Sequence, residues 1–375
     1  MNKITRIGVS VAAALALAGA FAPAASAADA PAAHPVFVQT DNPGGNQVVA
    51  YHRSADGKLT QQAVYPTGGR GGVLQGSVAD HTASQGALAY DAAHRLLYAV
   101  NAGSNTVSVF SVQGEILTLR QVLPSGGEFP VGFAVHGDRV YVLDALGGGA
   151  VQGYRVVRGQ LETEAGWHRA LGLDPNAMPQ FTHTPAQIGF LADGSQLVVT
   201  TKGNGSSIAV FGIDHSGAPS PAPVVTGLPG AVPFGFVPDG RHGLFVTEVG
   251  TNSLAAYRIG ADGRAVREAA ADTGQAAVCW VVRAGDVLYT SNAGSSTLTG
   301  VRATDHGSHL AVLGNTPTDP GTVDAAATPD GRHLYVQTGV NGIVDEFTVE
   351  HDGSLTRIGA QTVPGGAGGE GIVAL

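Results

Sequence analysis

Short runs of apolar and β-branched residues recur along this chain in pairs, each pair joined by a turn of small residues. One copy runs from Leu97 to Phe110 and reads LYAVNAGSNTVSVF; another runs from Leu334 to Phe347 and reads LYVQTGVNGIVDEF. Each copy predicts two β-strands and a tight connection. The residues that close the copies are Tyr51, Phe110, Tyr154, Phe211, Tyr257, Val301 and Phe347. Their spacing is roughly 44 to 59 residues, against about 40–50 for a four-stranded propeller blade.

Each unit has the same order. An apolar inner strand comes first, as at Gly86–Tyr90, and a tight turn follows, as at Pro238-Asp239-Gly240-Arg241 and Pro329-Asp330-Gly331-Arg332. Proline presets the turn backbone and Asp-Gly tolerates its unusual angles. The paired strands come next, and a polar outer strand such as Leu355–Ala360 ends the unit. The ends complete the count: the chain enters on a second strand, Val36–Gln39, and leaves on an orphan inner strand, Gly371–Leu375. The fold class expected is all-β, a seven-bladed β-propeller closed by the C-terminal strand pairing into the first blade, which removes an open sheet edge. A linear β-solenoid is the alternative.

Composition supports this and restricts function. Charged residues are 13% of the chain, against a usual ~25%. The 55 glycines are about twice the usual share, as tightly turned β proteins require. Lys3 and Arg6, the apolar stretch Ile7–Phe21 and the small-residue site Ala25-Ser26-Ala27 form an export signal over residues 1–27. The mature domain is then 28–375, secreted, and the apolar stretch is short for a retained anchor. Removing Lys3 and Arg6 takes the formal charge from −9 to −11, which argues against nucleic acid and anionic membranes as partners. Cys279, the only cysteine, lies in an apolar run and is expected to be buried packing.

Candidate chemistry comes from aligning the ends of the second strands. That position holds Thr40, Asn101, Asp144, Lys202, Glu248, Asn292 and Thr338, expected to ring the upper mouth of the channel. Asn, Asp and Thr at strand ends often serve only the turn backbone, whereas Lys202 and Glu248 are not turn formers. The starts of the inner strands add Gln85, Glu128, His183, Gln187, Asp324 and Glu370. Glu248 and His183 are the expected bases and Lys202 the electrostatic stabiliser. Asp144, Asn101, Asn292, Gln187, Glu128, Asp324 and Glu370 are the expected substrate contacts. The extra residues at about 66–84 and 167–183 should overhang the same face; the first carries Arg70, Asp80 and His81, the second Trp167, His168, Arg169, Met178 and Phe181. The sequence has no His-Glu-x-x-His or Gly-x-Ser-x-Gly motif, and its histidines are scattered, so no metal or cofactor is expected.

The repeats Leu97–Thr106 and Thr328–Val336 resemble those of the seven-bladed lactonase family, which includes 6-phosphogluconolactonase-type enzymes and carboxymuconate cyclases, and also the YVTN propellers of exported bacterial proteins. The resemblance spans nearly the whole mature chain. It implies His, Arg and acidic residues near the channel mouth, where His183 and Glu248 stand in plausible places. No arginine occupies a ring position, and Arg70 and Arg169 lie in the insertions. Two functions follow as expectations: a lactonase-like hydrolase or cycloisomerase, or a non-catalytic exported propeller that binds a small molecule, glycan or protein. Either is expected to act as a monomer.

Overall fold

The computed structural model describes residues 34–375 together with Met1 and Gly8; the rest of the expected export leader and the first residues of the mature domain lie outside the described residues. Seven antiparallel sheets form the ring. In six of them four strands follow the chain outward from the axis in hairpin order. The inner strands are Leu88–Asp91, Pro130–His136, Pro185–Phe190, Pro233–Asp239, Val278–Ala284 and Thr322–Ala327 for blades two to seven. Blade one takes its inner strand from the other end of the chain: Ile372–Ala374 pairs with Pro35–Gln39 through Val38↔Ile372, Phe37↔Val373 and Val36↔Ala374. Inner strands of successive blades touch in turn around the whole ring. The expected propeller and its closure are thus observed, and the solenoid is excluded.

The core lies between blades. Inner and second strands are buried on both faces, which is why they read as continuous apolar runs. The tyrosine of the recurring Leu-Tyr pair has a specific task. Tyr289 and Tyr335 are buried, and each hydroxyl donates to a turn glycine carbonyl of the next blade, Gly353 at 2.8 Å and Gly57 at 2.7 Å. Tyr141 reaches Gly217 in the same way. The ring supplies apolar burial while the hydroxyl satisfies a turn that would otherwise be left unpaired.

Two departures from the even pattern position the site. Blade three's outer strand is split into Gln160–Thr163 and Arg169–Ala170, both paired to Ala150–Val157. The second insertion then runs over the upper face and carries a short helix, Gln180–His183. The first insertion leaves the outer strand Leu59–Pro66 and folds inward over the mouth. It meets the second insertion where Gln75 N donates to Gln180 Oε1 at 2.9 Å. It also packs backbone against backbone: a Cβ on Gly339 would lie 1.6 Å from Ala79 O. Gly339→Ala should therefore lift this insertion and lower the melting temperature by roughly 5 °C or more, by the usual cost of overpacking. Differential scanning fluorimetry checks it, and an unchanged melting temperature would contradict this packing.

Candidate functional site

Pairing between second and third strands corrects the alignment on which the ring of polar residues was built. Asn101 pairs with Thr106, Asp144 with Ala150, Glu248 with Ser253, Asn292 with Thr297 and Thr338 with Ile343. In blade four the paired residue is Thr201, opposite Ser207. Lys202 stands one residue further on, level with Ala102, Ala145, Val249, Ala293 and Gly339. Side chains alternate along a strand, so this shift turns Lys202 inward while the true ring residues turn toward their own blades. Asp41 in blade one shares the inward position, one residue past Thr40.

The ring residues are buried and mostly occupied by their blades. Asn101 Nδ2 donates to Ser108 Oγ at 2.8 Å, and its Oδ1 accepts from Thr67. Asn292 makes the equivalent bonds to Thr297 and Thr299. Glu248 is fully enclosed; it accepts from Tyr257 Oη at 2.5 Å, Arg267 at 2.8 Å, Ser253 and Thr251. It therefore points into its own blade and does not meet Lys202 or His183. His183 ends the short helix, with Nδ1 within 2.8 Å of Thr182 Oγ1 and 3.0 Å of Pro179 O. Gln187 forms a two-bond link with the backbone of Phe236 in blade five. Glu128 is exposed on the rim. The expected trio of Glu248, His183 and Lys202 is not brought together.

Asp144 differs from its counterparts. It is wholly buried and neither carboxylate oxygen has a partner, since Ser125 Oγ turns to Gly127 O at 3.3 Å. Burial pushes its pKa up to about 7 against the lowering effect of the adjacent Ser125 hydroxyl, and the Glu128 charge adds a smaller rise. The raised value sets the sign of its pH dependence. The neutral acid suits the fold, so its contribution is whole below the unfolded value of about 4 and is lost as pH rises through 7. Asp144→Asn should match the wild type near pH 4 and melt about 3 °C or more higher at pH 8. Melting curves across that range test it, and a wild type more stable than the variant at pH 8 would contradict it.

A different constellation lies on the axis. Asp41, Asp80, Lys202, Asp324 and Glu370 are all buried, none more than 4% exposed. Their partners tie them into one buried cluster beneath the upper mouth, called here the axial chamber. Glu370 N donates to Asp41 Oδ2 at 2.8 Å, and Glu370 Oε1 accepts from Gly86 N at 2.8 Å. Asp80 accepts from Thr82 N at 2.7 Å and Ser84 N at 2.9 Å. Lys202 Nζ donates to Ala83 O at 2.5 Å and sits 5.4 Å from the centre of the Phe234 ring. Cys279 and Trp280 of blade six pack with Phe234 and Ala186 beside this cluster, and burial pushes the Cys279 thiol up to about 12, which disfavours the thiolate.

Desolvation dominates the electrostatics here. It lowers Lys202 to about 7, against the attraction of Asp80. It raises Asp41 to about 8 and Asp324 to about 7, and it raises Asp80 against its hydrogen bonds. Glu370 is driven well above the ordinary carboxyl range by burial and then by Asp324, Asp80 and Asp41. The cluster thus holds carboxyl groups whose ionisation burial disfavours and an amine able to lose its proton near neutrality, the pairing that acid–base chemistry uses. Among the described residues, no group of three or more His, Cys, Asp or Glu side chains is placed to hold a metal ion. Sequence reasoning found Lys202, Asp324 and Glu370 but missed Asp41, and it named Asp80 only as an insertion residue. The left-handed backbone of Asp41, just past a strand end, follows from the longer turn after it.

Comparison with known proteins agrees with the architecture. Residues 44–161 match the family model described as lactonase, 7-bladed β-propeller. No curated protein matches the sequence. Among solved structures, a provisionally named 6-phosphogluconolactonase of Bacteroides fragilis superposes with a TM-score of 0.72 at 17% identity, over 92% of this chain and 98% of its own. The periplasmic gluconolactonase of Pseudomonas aeruginosa gives 0.69 at 16% identity, over 91% and 99%. A virginiamycin B lyase of Staphylococcus aureus gives 0.53 at 15% identity, over 72% and 82%. In sequence over residues 44–161 and in fold around the ring, the chain is similar to the seven-bladed β-propeller lactonases.

Proposed function

We propose that the protein is an exported lactonase-like hydrolase acting on a small uncharged lactone in the axial chamber. The observation that carries this is the convergence of Asp41, Asp80, Lys202, Asp324 and Glu370 on the axis, all buried. Burying five ionisable groups is costly, and such clusters concentrate where proton transfer is needed. Lactone opening adds water to the carbonyl carbon and breaks the ring carbon–oxygen bond. Lys202, when neutral, takes the proton of the attacking water. The neutral Asp324–Glu370 pair delivers a proton to the departing ring oxygen, and the two groups then exchange a proton to reset.

The charge balance of the chamber bears on the substrate. Four carboxyl groups face one amine, and no arginine lies among them. A phosphorylated sugar lactone would want fixed cations. An unphosphorylated lactone, as in the name of the Pseudomonas neighbour, suits the chamber better than the 6-phospho substrate in the name of the Bacteroides one. Proton release from a panel of lactones, paired with and without a phosphate, tests this. Turnover of the uncharged members alone is expected; faster turnover of the phosphorylated members would overturn the substrate class.

A second function, non-catalytic ligand binding, has its own observation. Residues 80–87 fill the upper mouth, as the strand Leu88–Asp91 begins only beyond them. Saturable binding of a lactone or glycan without turnover, weakened by Lys202→Met, would decide for this alternative.

A further inference from the structure

Blades three and six share one construction toward the lower face. In each, a tyrosine of the second strand pairs with a glycine of the third: Tyr141↔Gly153 and Tyr289↔Gly300. Each tyrosine hydroxyl donates to a turn glycine of the next blade, Gly217 or Gly353. Two residues past the paired glycine stands an arginine held in place by the same kinds of partner. Arg155 donates to Asp138 Oδ2 and to Ser216 O, both at 2.7 Å. Arg302 donates to Asp286 Oδ2 at 3.0 Å and to Asp352 O at 3.1 Å. Where these two blades have glycine, the others carry Ala50, Val109, Val210, Ala256 and Glu346.

The space left by the glycine is filled in blade three and open in blade six. In blade three the outer strand is interrupted, and Trp167 from the break is buried there. Its ring lies 12° from parallel with Tyr141, centroids 5.7 Å apart, and the Arg155 guanidinium sits 5.0 Å from its centre. A Cβ on Gly153 would meet that ring at 2.6 Å. In blade six the outer strand His309–Pro317 is unbroken and carries no such residue. Gly300 pairs there with Gly314, so two adjacent positions of the sheet have no side chain. A Cβ on Gly300 would have its nearest contacts, Gly353 O and Tyr289 Cε1, at 3.5 Å. What remains is a cavity of about 200 Å³ lined by Tyr289, Gly300, Leu313, Gly314, Asp352 and Gly353. Leu313 and Gly314, on its outer side, are exposed.

We propose that this notch between blades six and seven is a binding site for a small planar aromatic molecule of one or two fused rings. The ligand takes against Tyr289 and Arg302 the place that Trp167 takes against Tyr141 and Arg155. The site rests on the likeness of the two blades and is independent of the proposed reaction. An aromatic ring gains stacking on Tyr289 and the attraction of a guanidinium already fixed by Asp286, so little ordering is lost on binding. An aliphatic molecule of the same size gains burial alone. The volume suffices, since a protein cavity of roughly 150 Å³ holds benzene.

Titration of the mature protein with indole, read by saturation-transfer NMR, tests the site. Indole should bind saturably with a Kd of about 1–10 mM, as its size allows. Cyclohexanol, which has no π face, should bind roughly threefold more weakly or worse. Gly300→Val gives blade six the residue that blades two and four carry at this position; it should keep the melting temperature and abolish indole binding. Leu313→Trp supplies the ring from the chain itself, since Leu313 Cβ lies 3.7 Å from where a Gly300 Cβ would stand. That variant should melt higher than the wild type, lose indole binding and add the blue-shifted emission of a buried indole. Indole binding unchanged in either variant, cyclohexanol bound as tightly as indole, or no saturable binding by the wild type would overturn the proposal. Binding of a tryptophan-bearing peptide without binding of free indole would make the notch a protein contact and overturn it equally.

Discussion

Deleting Gly371–Leu375 should lower the melting temperature by roughly 10 °C or more, or leave the protein insoluble. The deletion removes the inner strand of blade one and its three pairings with Pro35–Gln39. It also removes the bonds Gln39 N to Gly371 O at 2.8 Å and Leu375 N to Pro35 O at 2.9 Å. Ile372 leaves a core shared with Val36, Val38, Tyr335 and Val344, which joins blades one and seven. Loss of such a buried side chain costs about 2–5 kcal/mol alone. The exposed edge of Pro35–Gln39 then offers itself to another chain. Calorimetry together with light scattering reads both effects; a truncated protein that melts with the wild type as a monomer would show that the ring does not depend on this closure.

Lys202→Met should reduce lactone turnover by roughly 10²–10⁴-fold, the range that a positioned proton-transfer group contributes. The substitution keeps the apolar stem against Phe234 and removes only the amine. Relief of the desolvated amine and loss of its bond to Ala83 O offset one another, so the melting temperature should stay within a few degrees of the wild type. The comparison with Glu248→Gln is instructive. Glu248 bonds within its own blade to Tyr257 and Arg267, so that change should cost stability while kcat/KM at low temperature stays within about threefold. The opposite ranking, with Glu248 essential and Lys202 dispensable, would return the site to the strand ends.

The fold was legible because its signal is repeated. Tyr98, Tyr141, Tyr289 and Tyr335 recur at one strand position, and the orphan strand at Ile372 has a single unfilled blade to join. The site was less legible because it depends on turn length. The turn 202–206 is one residue longer than 102–105 or 293–296, and that single residue decides whether a side chain faces the axis or its blade. Aligning by residue type placed Lys202 with Glu248, although they point in different directions. Asp41 was missed for the same reason, since the turn 41–46 is longer still. Asp80 lies in a segment without strand periodicity, so nothing in the sequence gives its direction; only the bonds of Thr82, Ser84 and Ala83 bring it to the axis.

The most direct test of the central claim is proton release by the purified mature protein over a panel of uncharged lactones. Saturable opening of at least one of them is expected, lost in Lys202→Met while the variant's melting temperature is kept within a few degrees. Failure to open any lactone in the panel, or equal turnover by wild type and Lys202→Met, would contradict an active site in the axial chamber.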